Sequence, residues 1–193
     1  MPLSALEAPY FKSTAERYEQ GDILRDIKLI EWAEATGDEI SIAERSLQYC
    51  VLVTQDCDLE HDFDNRADST STTKDKYLQS LLLCPAYPGE TFRTGEHLAE
   101  LGFKMQAINS DRWRLIKQNN VSRYHYLEKA LDYQVPELVV DFKHYLTAPR
   151  DVFYRSNFSS SYVATIEIVY REHLSGRFAH YLSRIGLPEL TSP

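Results

Sequence analysis

The run QYCVLVTQ at residues 48–55 constrains this chain most, being β-branched and apolar, short, and bounded by polar residues. Such a run predicts a central strand. It passes directly into QDCDLEHDFD, where Asp56, Asp58, Glu60, Asp62 and Asp64 alternate with Cys57, Leu59, His61 and Phe63. Were the strand to continue, its period of two would put the carboxylates on one face and Cys57, Leu59, His61 and Phe63 on the other.

That geometry weighs on each chemistry the segment suggests. A zinc site using Cys57, His61 and neighbouring acids needs the strand to break, because the ligand types otherwise point apart. Cys57 and His61, four apart, fit one helical face, but two ligands do not make a site. The D-x-D-x-E-x-D spacing resembles a calcium loop, yet the midway glycine is His61 and the bidentate acid position falls on Ala67. Asp56, Asp58 and Asp62 are the candidate metal ligands. Asp56, Cys57, Asp58 and His61 are the candidate catalytic residues, although neighbouring carboxylates disfavour a Cys57 thiolate. A solvated acidic edge is the alternative, and it suits a basic partner.

Around this segment the chain reads as alternating strands and helices. Residues 1–20 read as an N-terminal arm or, over 5–19, a short helix; GDILRDIKLIEWAE reads as a strand leading into irregular structure, and Thr36-Gly37-Asp38 is a turn signal. Residues 64–76, DNRADSTSTTKDK, lack any large apolar side chain and predict a mobile surface loop. LLLCPAY is a second buried strand, TGEHLAELGF a short helix, RWRLIKQNN a strand with a turn, and ELVVDFKHYLTAP a strand ending at Pro149. YVATIEIV starts either a strand or a helix. REHLSGRFAHYLSRIG is an amphipathic helix with Leu174, Phe178, Leu182 and Ile185 on one face, ended by Gly186 and Pro188. Gly176 inside it costs about 1 kcal/mol against Ala, so this helix depends on packing.

Composition bounds the function classes. The chain has 193 residues, 43% hydrophobic and 26% charged, which predicts one domain with a proper core. No apolar run is long enough to cross a membrane as a helix, and the N-terminus has no secretory pattern. Three cysteines without a CxxC pair predict no disulfide framework and a cytoplasmic location. No cofactor motif is present. The net charge of −8 argues against nonspecific nucleic-acid binding. The charge is uneven, however: residues 1–100 carry 9 basic and 20 acidic side chains, and residues 101–193 carry 12 and 9. In that second half Arg112, Arg114, Arg123 and Arg150 interleave with Tyr124 and Tyr126, a set able to stack on and neutralise single-stranded RNA. Tyrosines at a core or a protein interface are the other reading of the same set.

Several segments, in order, resemble the PemK-like (MazF/CcdB-type) small β-barrel toxins. GDIL at 21–24 is similar to the opening of that family's first barrel strand, CVLVTQ at 50–55 to the next buried strand, and LLLCPAY at 81–87 to a later strand running into proline. VVDFKHYLTAPRDVF at 139–153 has the rhythm of the segment near the barrel's end. The resemblance implies an α+β chain with an SH3-like barrel core over 21–168 and added helices, including the amphipathic one at 169–186. In the family such a barrel cleaves or contacts RNA, or binds a partner protein. The family's Arg-Pro is Gln48-Tyr49 here and its Thr-Ser is Ala86-Tyr87, so the resemblance bears on fold more than on ribonuclease chemistry.

The resulting expectation is a binding module of a prokaryotic toxin–antitoxin-like or defence system, acting through a protein partner or RNA, with a homodimer as a further option. The alternative is a divergent endoribonuclease or a metal-dependent hydrolase using the Asp56–Asp62 edge, with Arg112, Arg114, Arg123 or His125 contacting phosphate.

Overall fold

Gly37, with φ 65°, sits at the tip of a hairpin much longer than the strand read from the sequence. Its arms are β2 (Asp22–Thr36) and β3 (Glu39–Leu52), paired from Ile23↔Val51 to Thr36↔Glu39. The computed structural model describes residues 9–37, 39–157 and 160–184. The remaining strands are β1 (Tyr10–Phe11), β4 (Ser80–Pro88), β5 (Tyr124–Leu127), β6 (Leu138–Asp141), β7 (Leu146–Pro149) and β8 (Tyr162–Ile166). All pairings are antiparallel, in the order β1-β8-β2-β3-β4-β6-β5, with β7 beside β4. The sheet curls as a half-barrel, and the chain is α+β.

The apolar run 50–53 lies inside this sheet because it is covered on both faces. Cys50 and Leu52 point into a cluster with Leu24, Ile27, Leu83 and Phe153. Val51 and Val53 point into another with Ile23, Val140, Leu174 and Phe178. Covering both faces removes the polar alternation of a half-exposed strand, which leaves a continuous apolar word in the sequence. Each fully buried Leu or Phe contributes roughly 1.5–3 kcal/mol. Beyond Lys28 and Ser46 the hairpin leaves the core and projects as an arm.

Among the described residues five helices cover the sheet: α1 (Asp56–Ala67), α2 (Gly89–Thr94), α3 (Ser110–Lys117), α4 (Arg150–Asn157) and α5 (Ile168–Leu182). Helices α1 and α4 close one face through Leu59 and Phe153, and α5 closes the other through Leu174 and Phe178. Over β5 and β6, α2 and α3 pack Phe92, Trp113 and Ile116 on Tyr124 and Val139. Among the described residues no helix is long and apolar enough to cross a membrane.

Two sequence expectations are overturned. QDCDLEHDFD is no strand-like acidic edge: β3 ends at Leu52 and the segment is helix α1. Its alternation of acids is accidental to the fold. Asp56 and Asp58 suit a first helical turn, and Leu59, Asp62 and Arg66 follow at helical spacing. RWRLIKQNN likewise belongs to helix α3, which the Asn109 side chain caps by accepting from the Arg112 N–H. Elsewhere the differences are smaller. The described part of 5–19 holds only β1 and irregular chain, α1 runs four residues into the expected loop, and TGEHLAELGF keeps one 3-10 turn at Ala99–Leu101. On α5, Leu182 is exposed, and Ile185, Gly186 and Pro188 lie outside the described residues.

Candidate functional site

The sequence-predicted residues do not converge. On α1, Cys57, Asp58 and His61 are exposed, with the Cys57 thiol 3.9 Å from the side chains of Gln55 and Asp58. Asp56 accepts from Arg17 at 3.1 Å and from the Gln20 N–H at 3.1 Å, and Arg171 stands 3.6 Å away. Burial raises its affinity for a proton, but these donors outweigh it and hold the carboxyl below the usual range. Asp62 is buried, and accepts from Arg66 at 2.8 Å, Arg150 at 2.6 Å and the Leu78 N–H at 2.8 Å. Arg150, which also stacks over Tyr154, thus ties α4 to α1. Among the described residues no three His, Cys, Asp or Glu side chains are arranged to hold a metal ion.

The proposed RNA-contact set is also divided. Arg112 and Arg114 are exposed on α3, Tyr124 is buried edge-on against Phe92, and Tyr126 donates to Glu137 at 2.7 Å. Arg123 leads elsewhere. It forms a bidentate pair with the fully buried Asp141, at 2.8 and 2.6 Å.

Asp141 is the centre of a polar cluster that sequence reasoning did not assemble. It ends β6 and caps the 3-10 turn Phe142–His144 by accepting from the Lys143 N–H at 3.0 Å. The turn brings His144 Nδ1 to 3.1 Å from the same carboxylate. Tyr87 on β4 places its hydroxyl 3.4 Å from that nitrogen, because β4 and β6 pair with Tyr87 opposite Val139. Asp141 is an acceptor, so it selects the tautomer of His144 with the proton on Nδ1 and leaves Nε2 bare.

His97 joins from the loop after α2. That helix stops at Gly95, whose φ of 81° allows its N–H to reach back to Phe92 and Thr91. A side chain at Gly95 would strike the Met105 carbonyl, so the turn is available only to glycine. Two residues later the His97 ring packs against Tyr87 and Phe92, with centroids 4.7 and 4.6 Å away. Its Nδ1 is buried without a hydrogen-bond partner. Tyr87 and His97 line a pocket of about 260 Å³, whose far wall is the base of the arm: Arg45, Gln48 and Tyr49.

No protein-family model matches this chain, and no curated protein does. Its chemistry is therefore read from the pocket itself. Burial keeps both imidazoles below their usual pKa, with Arg123 reinforcing the shift for each. Burial and the Asp141 charge raise the Tyr87 phenol to about 12, against the opposing pull of Arg45 and Arg123. At neutral pH the pocket thus offers the neutral His97 imidazole, a protonated phenol and the Arg45 guanidinium, with Glu44, Glu96 and Glu100 also in its lining and the neutral His144 imidazole beside Tyr87. These are the parts of general acid–base catalysis with anion stabilisation. Of this group only the Ala86-Tyr87 position carries a sequence signal, as a departure from the family's Thr-Ser.

Proposed function

We propose that the chain is a divergent PemK-like endoribonuclease that cleaves single-stranded RNA by general acid–base catalysis in the Tyr87–His97 pocket. The observation carrying this reading is the hydrogen-bonded chain Arg123–Asp141–His144–Tyr87 beside that pocket. The resemblance adds to it: Gln48-Tyr49 and Tyr87, which stand where the family has Arg-Pro and Thr-Ser, line this same pocket. His144 Nε2 takes the proton from a ribose 2′-hydroxyl as its oxygen bonds to phosphorus. Protonated His97 gives its proton to the departing 5′-oxygen as the P–O5′ bond breaks. Arg45 and the Tyr87 hydroxyl meet the charge on the non-bridging oxygens. The products are a 2′,3′-cyclic phosphate and a 5′-hydroxyl end. Incubation with single-stranded RNA in the presence of EDTA is expected to yield those ends; intact RNA across mildly acidic to neutral pH would refute the reading.

A second reading, a protein-binding module in a toxin–antitoxin-like or defence setting, is favoured by the arm. The register puts Ile30, Ile40 and Ile42 on one face of it, and they are 64%, 71% and 56% exposed. Isolated exposed apolar residues need no explanation, but a stripe of them marks a contact face. Replacing Ile40 and Ile42 with aspartate is expected to change unfolding free energy by no more than about 0.5 kcal/mol, as for other surface changes. If a second copy docks there, the same variant is expected to be monomeric by light scattering where the parent is dimeric.

A further inference from the structure

Two clefts on the α5 side of the sheet are unrelated to the Tyr87–His97 pocket. Alternation along β5 turns Tyr124 toward α2 and α3, and His125 toward α5, so the two regions occupy opposite faces of the β5–β6 ladder. The first cleft, of about 440 Å³, is lined by Tyr10, Tyr126, Tyr170, Lys117 and His125. The second, of about 450 Å³, is lined by His173, Arg177, His180, Asn119 and Ser122. Asn119 and His173 line both, so the two are neighbouring chambers.

Each chamber holds an unsatisfied polar group. His125 is only 3% exposed, its ring lies 5.4 Å from that of His173, and its Nδ1 has no hydrogen-bond partner. Burial pushes its pKa down to about 3, so the ring is neutral and its two nitrogens are one donor and one acceptor. In the second chamber Arg177 gives its terminal nitrogens to the Asn119, Val121 and Tyr124 carbonyls, while its Nε is buried and unpartnered. Orphaned buried groups are rare enough that each calls for a ligand or a water. Those carbonyl bonds also brace the 119–124 turn, and the Asn119 side chain accepts from the Tyr126 N–H at 2.7 Å. The walls are therefore fixed before anything binds.

The chambers differ in chemistry. Tyr10, Tyr170 and His125 make the first a stacking site for a planar ring, with Tyr126, whose ring packs on Trp113, at its edge. Lys117 adds a cation there, and Glu128 is the only acid among its described lining residues. No acid is among the second's described lining residues, which present the Arg177 Nε, two imidazoles, two amides and a hydroxyl. That set suits an anion. Gly176 lies at the second chamber on α5, where an added Cβ would meet nothing within 4 Å. Packing does not require this glycine, and the helix would be more stable with alanine. What its missing side chain does is leave the chamber open.

We propose that this double cleft binds a 5′-mononucleotide, free or as the end of an RNA strand, with the base in the Tyr10/His125 chamber and the phosphate in the Arg177/His173 chamber. A ring and an anion joined in one molecule reach both chambers at once, because the chambers share Asn119 and His173. The test is titration calorimetry of the full chain with 5′-AMP, 5′-UMP, adenosine, inorganic phosphate and a 5′-phosphorylated oligonucleotide. At least one mononucleotide is expected to bind about tenfold more tightly than adenosine or phosphate, and the imidazole signals of His125 and His173 are expected to shift in NMR spectra. Stronger binding of the oligonucleotide would assign the site to RNA ends, and equal binding to free nucleotide. Gly176→Trp puts an indole at the second chamber from a Cβ that meets nothing within 4 Å. It is expected to cost at least about tenfold in affinity with an unchanged circular-dichroism spectrum. The proposal falls if neither mononucleotide binds at millimolar concentration, if phosphate alone binds as tightly, or if folded Gly176→Trp binds as well as its parent.

Discussion

Replacing His144 with alanine is expected to lower RNA cleavage about 10²–10⁴-fold, the usual yield of a positioned general base. The substitution leaves the bidentate Arg123–Asp141 pair and the Asp141 cap on Lys143 in place, so the fold survives it. Tyr87→Phe keeps the ring against His97 and removes only the hydroxyl, so its loss is expected to be smaller, nearer the contribution of one hydrogen bond to a charged group. The pH profile discriminates further. His97 and His144 are both held below the usual imidazole value of about 6.5. A bell-shaped rate profile with both limbs on the acid side of that value is therefore expected, with one limb lost in each single histidine variant. Cleavage by His144→Ala within twofold of the parent, or a profile unmoved by either histidine, would exclude this pocket as the catalytic site.

The sheet is more legible in the sequence than the site is, and the reasons are local. Runs such as CVLV and LLLCPAY were legible because burial on both faces makes a strand continuous in apolar residues. Segment 56–64 misled because acids at every second position mimic strand alternation, whereas Leu59, Asp62 and Arg66 carry the helical period that packing obeys. In α3 the two residues that matter, Trp113 and Ile116, are three apart within a short run, too little period to oppose β-compatible side chains. The site was hidden for another reason. Tyr87, His97, Arg123, Asp141 and His144 meet only through the β4–β6 and β5–β6 pairings and the Gly95 turn. No local spacing records a meeting of that kind. Arg123 and Arg150 show the complementary error: both looked like phosphate ligands, and both hold buried carboxylates.

Asp22 and His125 are expected to give the folded state two opposed pH dependences that cancel in the parent and separate in variants. Asp22 is 2% exposed at the start of β2, accepting from Thr165 Oγ1 at 2.7 Å and from the Glu19 N–H at 2.9 Å. Burial outweighs those bonds and raises its pKa to about 7. The folded state therefore binds the proton more tightly than the unfolded chain, and this group's stabilisation is complete below about pH 4 and lost as pH rises through 7. His125 acts in the other direction. With its pKa lowered to about 3, its stabilisation is complete above about pH 6.5 and lost as pH falls toward 3. Between about pH 4 and 6.5 the two slopes have opposite sign and similar size. Asp22→Asn can still accept from Glu19 and donate to Thr165, so it removes the titration while keeping the contacts. Relative to the parent, its stability is expected to rise with pH by about 3 kcal/mol across that window. His125→Gln is expected to fall by about the same amount, and the double variant to follow the parent's slope. Urea unfolding at several pH values measures all four, and the differences cancel every group the variants share. A difference for Asp22→Asn that is flat with pH would show that this carboxyl is already ionised in the fold, which would require a cation close to it that neither Thr165 nor Glu19 supplies.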